Sequence, residues 1–175
     1  MRLSGVGGAD SAEDVIAGVR RGSLGPDLMT EADIAGLPAK EKFCPQLQLS
    51  LQSRCDATLS RMNRQYDTAF YAGLVDKLRS AFPNRAVTTD IMVGFPGETE
   101  EEFEQTCQFA EKIGFAQAHI FAYSVREGTR AAVMPEQVDA KVKASRSKRL
   151  SEITQKSRRE YLRAQVGKIA DVLFE

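Results

Sequence analysis

Polar and apolar residues alternate strictly over Gln46–Ser53, with Leu47, Leu49 and Leu51 on one side and Gln46, Gln48, Ser50 and Gln52 on the other. A period of two predicts a strand with one apolar and one polar face. The period becomes helical over Thr68–Phe82, where Phe70, Tyr71, Leu74, Val75, Leu78 and Phe82 form one stripe and Pro83 and Asn84 stop it. Val87–Val93 is the next strand. Val87, Thr89, Ile91 and Val93 take one face, and Thr88, Asp90 and Met92 take the other. Thr99 opens a helix with a capping box to Glu102, and Glu100 and Glu101 suit the positive end of its dipole. Phe103, Cys107, Ala110 and Ile113 form its buried stripe, and Gly114 suits a left-handed stop. Phe115–Tyr123 reads as a third strand, and Glu136 to about Ala164 reads as a helix with few apolar positions. Upstream, Thr30 caps a short helix ending near Leu37, and Pro38 closes it; residues 1–22 are poorly patterned. Val166–Phe174 looks like the first strand of another unit.

Strands alternating with helices of a dozen or more residues argue parallel β/α units. Helices then cover the outer faces, and the Gln/Ser face of the first strand points inward with Asp90. A polar interior at strand ends suits a ligand better than a core.

Composition changes this picture little. The chain has 175 residues, 42% hydrophobic and 27% charged, which is one ordinary soluble domain. No run approaches the roughly 18 apolar residues of a membrane span, and the start lacks a signal-peptide pattern. A cytoplasmic location is the expectation, with no membrane partner. Lys plus Arg equals Asp plus Glu at 24 each, but the charges separate along the chain. Glu98, Glu100, Glu101, Glu102 and Glu104 form an acidic block, and Lys141 to Lys168 is a basic segment. That segment reads either as a solvated helix face or as a surface for a phosphate backbone. Cys44, Cys55 and Cys107 have no zinc-ligand spacing and read as buried thiols.

Gln48, Ser50, Gln52 and Asp90 either line one cavity for a small polar ligand or satisfy one another. Gly94-Phe95-Pro96-Gly97 lets backbone approach a ligand, though taken alone it is a turn and matches no nucleotide-binding fingerprint. His119, the single histidine, argues against a His-rich metal site and a catalytic triad, and reads first as a core residue. Arg126 suits a loop salt bridge or an anion.

Four stretches together resemble the radical S-adenosylmethionine methylthiotransferases: C-P-Q-L-Q-L-S-L-Q-S (Cys44–Ser53), R-M-N-R (Arg61–Arg64), T-T-D-I-M-V-G-F-P-G-E-T-E-E-E-F (Thr88–Phe103) and F-A-Y-S-V-R-E-G-T-R-A-A (Phe121–Ala132). The likeness runs from about Gly22 to Glu175. I-G-F at Ile113, H-I-F at His119 and R-E-G-T-R-A-A favour the subfamily acting on threonylcarbamoyladenosine beside the tRNA anticodon. Sister enzymes act on isopentenyladenosine in tRNA or on a ribosomal protein, and a non-catalytic β/α module binding a ligand or RNA is the other alternative.

The resemblance implies an α/β fold, the C-terminal half of a partial (β/α) TIM-like radical SAM barrel with parallel strands and outer helices. Residues 23–165 would be that core, and residues 166–175 the start of a truncated TRAM-like RNA-binding domain. It implies S-adenosylmethionine and 4Fe-4S clusters as cofactors, the cofactors carrying the radical chemistry. It places Ser50, Gln52 and Asp90 where strand ends meet S-adenosylmethionine. Gly94, Gly97, Phe121 and Tyr123 would border its adenosine. The implied partners are the tRNA anticodon stem-loop, S-adenosylmethionine and the N-terminal part of the same enzyme. The family's C-x-x-x-C-x-x-C loop is absent from this sequence, so the cluster ligands are expected outside it and the chain alone is expected to be inactive. Gln46 and Gln48 stand where the family pattern has histidines, and Arg54 where it has glycine.

Overall fold

A computed structural model describes residues 25–30, 32, 34, 46–82 and 86–169. Three strands form one sheet in the order β1 (Gln46–Gln48), β2 (Ala86–Val93), β3 (Gln117–Ala122), and both pairings are parallel. The intervening helices are α1 (Asp56–Arg61), α2 (Thr68–Ala81) and α3 (Glu100–Ile113); α4 (Ala140–Arg163) follows β3. The fold is the expected parallel α/β arrangement.

One sheet face is the core. Leu47, Val87, Ile91 and Val93 are buried against Tyr71, Val75 and Leu78 of α2, Phe103 and Ala110 of α3, and Leu150 of α4. Burying these side chains contributes about 1.5–3 kcal/mol each before entropy is subtracted. The capping box at Thr99 and Glu102 closes on both sides, and Gly114 ends α3 in the left-handed region at φ 62°. Asp67 caps α2 by accepting the Phe70 N–H. Phe70 itself is 47% exposed, so it leaves the expected stripe. It sits one position before Tyr71, a rotation of about 100° that carries it off the core-facing side.

The first strand departs from its expected length. Its ladder runs from Gln48 beside Thr88 to Gln52 beside Ile91, four steps against three. The extra residue is a bulge, and an inserted residue reverses the alternation beyond it. Tyr71 donates to the Leu49 carbonyl at 3.0 Å, and Tyr66 donates to the Ser50 carbonyl at 2.7 Å and the Leu51 carbonyl at 3.2 Å. Thr89 Oγ1 accepts the Leu51 N–H at 3.1 Å. These bonds replace ladder partners that the bulge removes. Burial pushes the Tyr66 phenol up to about 12, so it stays a donor.

Ile34 donates to the Thr30 carbonyl at 3.2 Å, as the expected short helix requires. The end of that helix, residues 1–22, Cys44 and the stop at Pro83–Asn84 lie outside the described residues. Val166 to Ile169 leave α4 through a turn, and the remainder of the strand expected there also lies outside them. Among the described residues, no helix is long and apolar enough to cross a membrane.

Candidate functional site

In a parallel sheet, residues in register share a face. Gln48, Thr88, Asp90, Met92, Gln117, His119 and Phe121 therefore lie on the face opposite the core. The Asp90 carboxylate is the centre of this face. Gln48 Nε2 donates to Oδ1 at 3.1 Å and Oδ2 at 3.0 Å, and Ser50 Oγ donates to Oδ2 at 2.9 Å. Two regular steps beyond Gln48 and Thr88 bring Ser50 to Asp90, and the bulge shifts Gln52 out of that register, beside Ile91. Donors aimed at a carboxylate fix its orientation.

Gln52 does not join that cluster. Its backbone is left-handed at φ 64°, and it lines a separate cleft with Met92 and Phe95. Phe121 is 52% exposed on the open face. Tyr123 is buried, with its ring edge-on to Phe95 at 5.4 Å between centroids and its N–H on the Val93 carbonyl at 2.9 Å. Its hydroxyl has no partner among the described residues. His119 is exposed beside Gln117, not in the core; its register partner is Asp90 on the solvent-open face. Arg126 is exposed with no ion pair among the described residues.

The Gly94–Gly97 turn is held from three directions. Gly94 and Gly97 take φ 70° and 77°, which side chains resist. Glu98 Oε2 accepts the Gly94 N–H at 2.6 Å, and the Glu136 carbonyl accepts the Gly97 N–H at 2.9 Å. Lys143 of α4 lies over Gly94, where a Cβ would come within 2.2 Å of its Cγ. Its Nζ donates to the Tyr123 carbonyl at 2.9 Å, tying α4 to the end of β3.

A buried ion pair fixes this turn, and the residue pattern gave no sign of it. Arg146 Nη1 donates to Glu98 Oε2 at 2.8 Å and to the Glu98 carbonyl at 3.0 Å, while Nη2 reaches Glu100 at 3.1 Å. Burial pushes the Glu98 carboxyl above its ordinary value, against the Gly94 N–H and Arg146 that favour its charged form. Arg149 pairs with Glu104, and Lys156 with Glu111 at 3.2 Å. Part of the basic segment is thus neither a free solvated face nor a free phosphate surface: it is matched to the acidic helix. Cys55 and Cys107 are buried and free, as expected. Burial pushes the Cys107 thiol up to about 11.

Residues 24–110 match the family model described as the radical SAM superfamily. A tRNA-2-methylthio-N(6)-dimethylallyladenosine synthase of Mycolicibacterium smegmatis is 41% identical over 171 residues, covering 98% of this chain and 33% of that protein. A protein of the same name from Thermoanaerobacter sp. is 46% identical over 135 residues, covering 77% of this chain and 29% of that protein. The solved coproporphyrinogen III oxidase of Escherichia coli, described as a radical SAM enzyme, matches with a TM-score of 0.64. It is 17% identical and covers 77% of this chain and 31% of that one, a likeness of fold alone. The chain spans about a third of the length of the curated relatives it matches.

These relatives correct the expected subfamily. They carry the dimethylallyladenosine name, not the threonylcarbamoyladenosine one. The motif at Ile113–Phe115 was a poor guide because Ile113 and Phe115 are core side chains, which report packing and not substrate.

Proposed function

From the premise that residues 24–110 belong to the radical SAM superfamily, we propose that this chain is part of an enzyme that adds a methylthio group to an N6-dimethylallyladenosine of tRNA. The relatives supply the substrate class. The observation that carries the reading to this chain is the Asp90 carboxylate, braced by Gln48 and Ser50 on the open polar face of a parallel sheet.

S-adenosylmethionine fits this face. It carries a sulfonium and an ammonium, and an oriented carboxylate beside amide and hydroxyl groups complements them. Asp90 and Ser50 would hold its cationic end. The Gly94–Gly97 turn and Phe121 would border its adenosine, and the buried Tyr123 hydroxyl supplies a polar atom still lacking a partner. When bound beside a reduced cluster, this cofactor supplies the radical and methyl chemistry. Clamping of the turn by Glu98, Arg146 and Lys143 keeps it rigid at the ligand.

An iron–sulfur cluster does not fit the described residues. No group of three or more His, Cys, Asp or Glu among them could hold a metal. Cys107 is a buried thiol where a ligand must be a thiolate. The described residues therefore supply no cluster ligand set. The exposed Lys148, Arg158, Arg159 and Arg163 of α4, which have no ion pair among the described residues, suit a tRNA phosphate backbone.

The test is the tRNA of the source cells. Deleting the reading frame that contains this sequence should abolish the 2-methylthio form and leave N6-dimethylallyladenosine to accumulate, read by nucleoside mass spectrometry. Unchanged methylthio-dimethylallyladenosine, or loss of the methylthio mark from threonylcarbamoyladenosine instead, defeats the proposal.

A further inference from the structure

Taking the S-adenosylmethionine reading of the open face as given, we infer that Lys143 of α4 is a positioning residue for the adenosine end of that ligand. It acts without touching the ligand, by fixing the gap between the carboxyl ends of β2 and β3.

Three links join the two strand ends. The Tyr123 N–H donates to the Val93 carbonyl at 2.9 Å. Gly94 then leaves β2 at φ 70°, and Phe95 meets Tyr123 ring edge to ring face, with 5.4 Å between centroids. Both rings are buried. The third link is Lys143, which arrives from a different element. Its stem crosses Gly94, with Cγ and Cδ at 2.2 and 2.7 Å from the point where a Cβ would stand. Its ammonium reaches past the turn to the Tyr123 carbonyl at 2.9 Å and lies 5.8 Å from the centre of the Tyr123 ring. That places it within range of a cation–π contact.

The side chain is placed to transmit position directly. No side chain lies between its stem and the Gly94 backbone, so a shift of the stem passes straight to the turn. Among the described residues its ammonium has no carboxylate partner; its acceptor is the carbonyl just past the end of β3. Arg146, one turn further along α4, differs in this respect. It ends on Glu98 and Glu100 and so holds the turn from the α3 side, without reaching β3. Lys143 spans both strand ends.

On the premise above, adenosine lies between the Gly94–Gly97 turn on the β2 side and Phe121 with Tyr123 on the β3 side. Backbone and aromatic groups on two elements recognise one flat base only when their spacing is held to about 0.5 Å. Lys143 holds that spacing from behind. The other end of the ligand has separate support, because Gln48 and Ser50 brace Asp90 from the β1 segment through bonds that do not involve α4. Loss of the Lys143 ammonium should therefore be felt by adenosine and not by the amino-acid end.

The test titrates the isotopically labelled full chain with S-adenosylmethionine, adenosine and methionine, following backbone amide resonances. K143M keeps a stem over Gly94 and removes the donor to Tyr123. It should weaken adenosine and S-adenosylmethionine about tenfold each and leave methionine unchanged. D90N should show the opposite split, weakening methionine and sparing adenosine. A purely structural role for Lys143 predicts no such split. Should K143M lose the fold, K143Q, whose shorter side chain does not span to Tyr123, carries the same comparison. Unchanged adenosine binding, or equal weakening of adenosine and methionine, overturns the inference, while S-adenosylmethionine binding that D90N abolishes would still uphold the cofactor face. Absence of saturable binding of adenosine and S-adenosylmethionine by the parent chain overturns both. The tRNA mass analysis is independent of either result.

Discussion

Replacing Arg146 by Met would leave the Glu98 charge buried with one counter-charge removed. The two side chains are 7% and 1% exposed, with 2.8 Å between Nη1 and Oε2. Methionine retains much of the aliphatic stem and removes the guanidinium, which lies over the Phe103 ring at 5.3 Å from its centroid, so the change is chiefly electrostatic. Breaking a buried pair by removing one partner costs about 3–5 kcal/mol. Each kcal/mol lowers the melting temperature of a domain this size by about 2–4 °C, so R146M should melt roughly 10 °C lower at neutral pH. The loss should depend on pH with a definite sign. Burial already raises the Glu98 carboxyl above its ordinary 4.5, and removing Arg146 raises it further. The folded protein then binds this proton more tightly than the unfolded chain. Stability therefore falls as pH rises from about 4.5 through the folded pKa, and acid restores it. Thermal unfolding followed by circular dichroism should show a deficit for R146M that is large at about pH 7.5 and smaller at about pH 5. The double variant E98Q/R146M, which buries no charge, should be more stable at neutral pH than R146M. A melting temperature for R146M within about 2 °C of the parent at neutral pH, or a deficit equal at both pH values, would refute the reasoning.

Three further outcomes follow from single contacts. Gly94→Ala puts a methyl 2.2 Å from Lys143 Cγ on a backbone at φ 70°; urea unfolding should show a loss above the roughly 1–2 kcal/mol of left-handed strain, with K143A returning only the steric part. Tyr66→Phe removes the donor to the bulge carbonyls of Ser50 and Leu51, at a cost of about 1–3 kcal/mol in chemical unfolding. Cys107, with its thiol pushed up to about 11, should alkylate about a hundredfold more slowly in the native protein than in urea near pH 8, as mapped by peptide mass.

The fold was legible wherever local chemistry decides it. The capping box at Thr99, the left-handed Gly114, the alternation in Val87–Val93 and the stripe from Phe103 to Ile113 are each fixed by residues close in sequence. The bulge was not legible, because its causes are distant: Tyr66 and Tyr71 lie more than a dozen residues after the carbonyls they bind. Ser50 reaches Asp90 by the regular register, and that one inserted residue explains why Gln52 leaves it. The buried Glu98–Arg146 pair joins positions 48 residues apart, and in the sequence each partner belonged to a run of like charge. Net charge per segment says nothing about which members face each other. The subfamily was misread for a related reason: Ile113 and Phe115 serve the core of this chain, so they report packing and not substrate.

The central claim is that Asp90, Gln48 and Ser50 form a cofactor-binding face beside the glycine turn. Titrating the isotopically labelled chain with S-adenosylmethionine and following backbone amide resonances tests it most directly. Saturable shifts at Gln48–Ser50, Asp90 and Gly94–Gly97, lost in D90N, are the predicted result. Shifts confined to the outer face of α4, or a response unchanged in D90N, would contradict it.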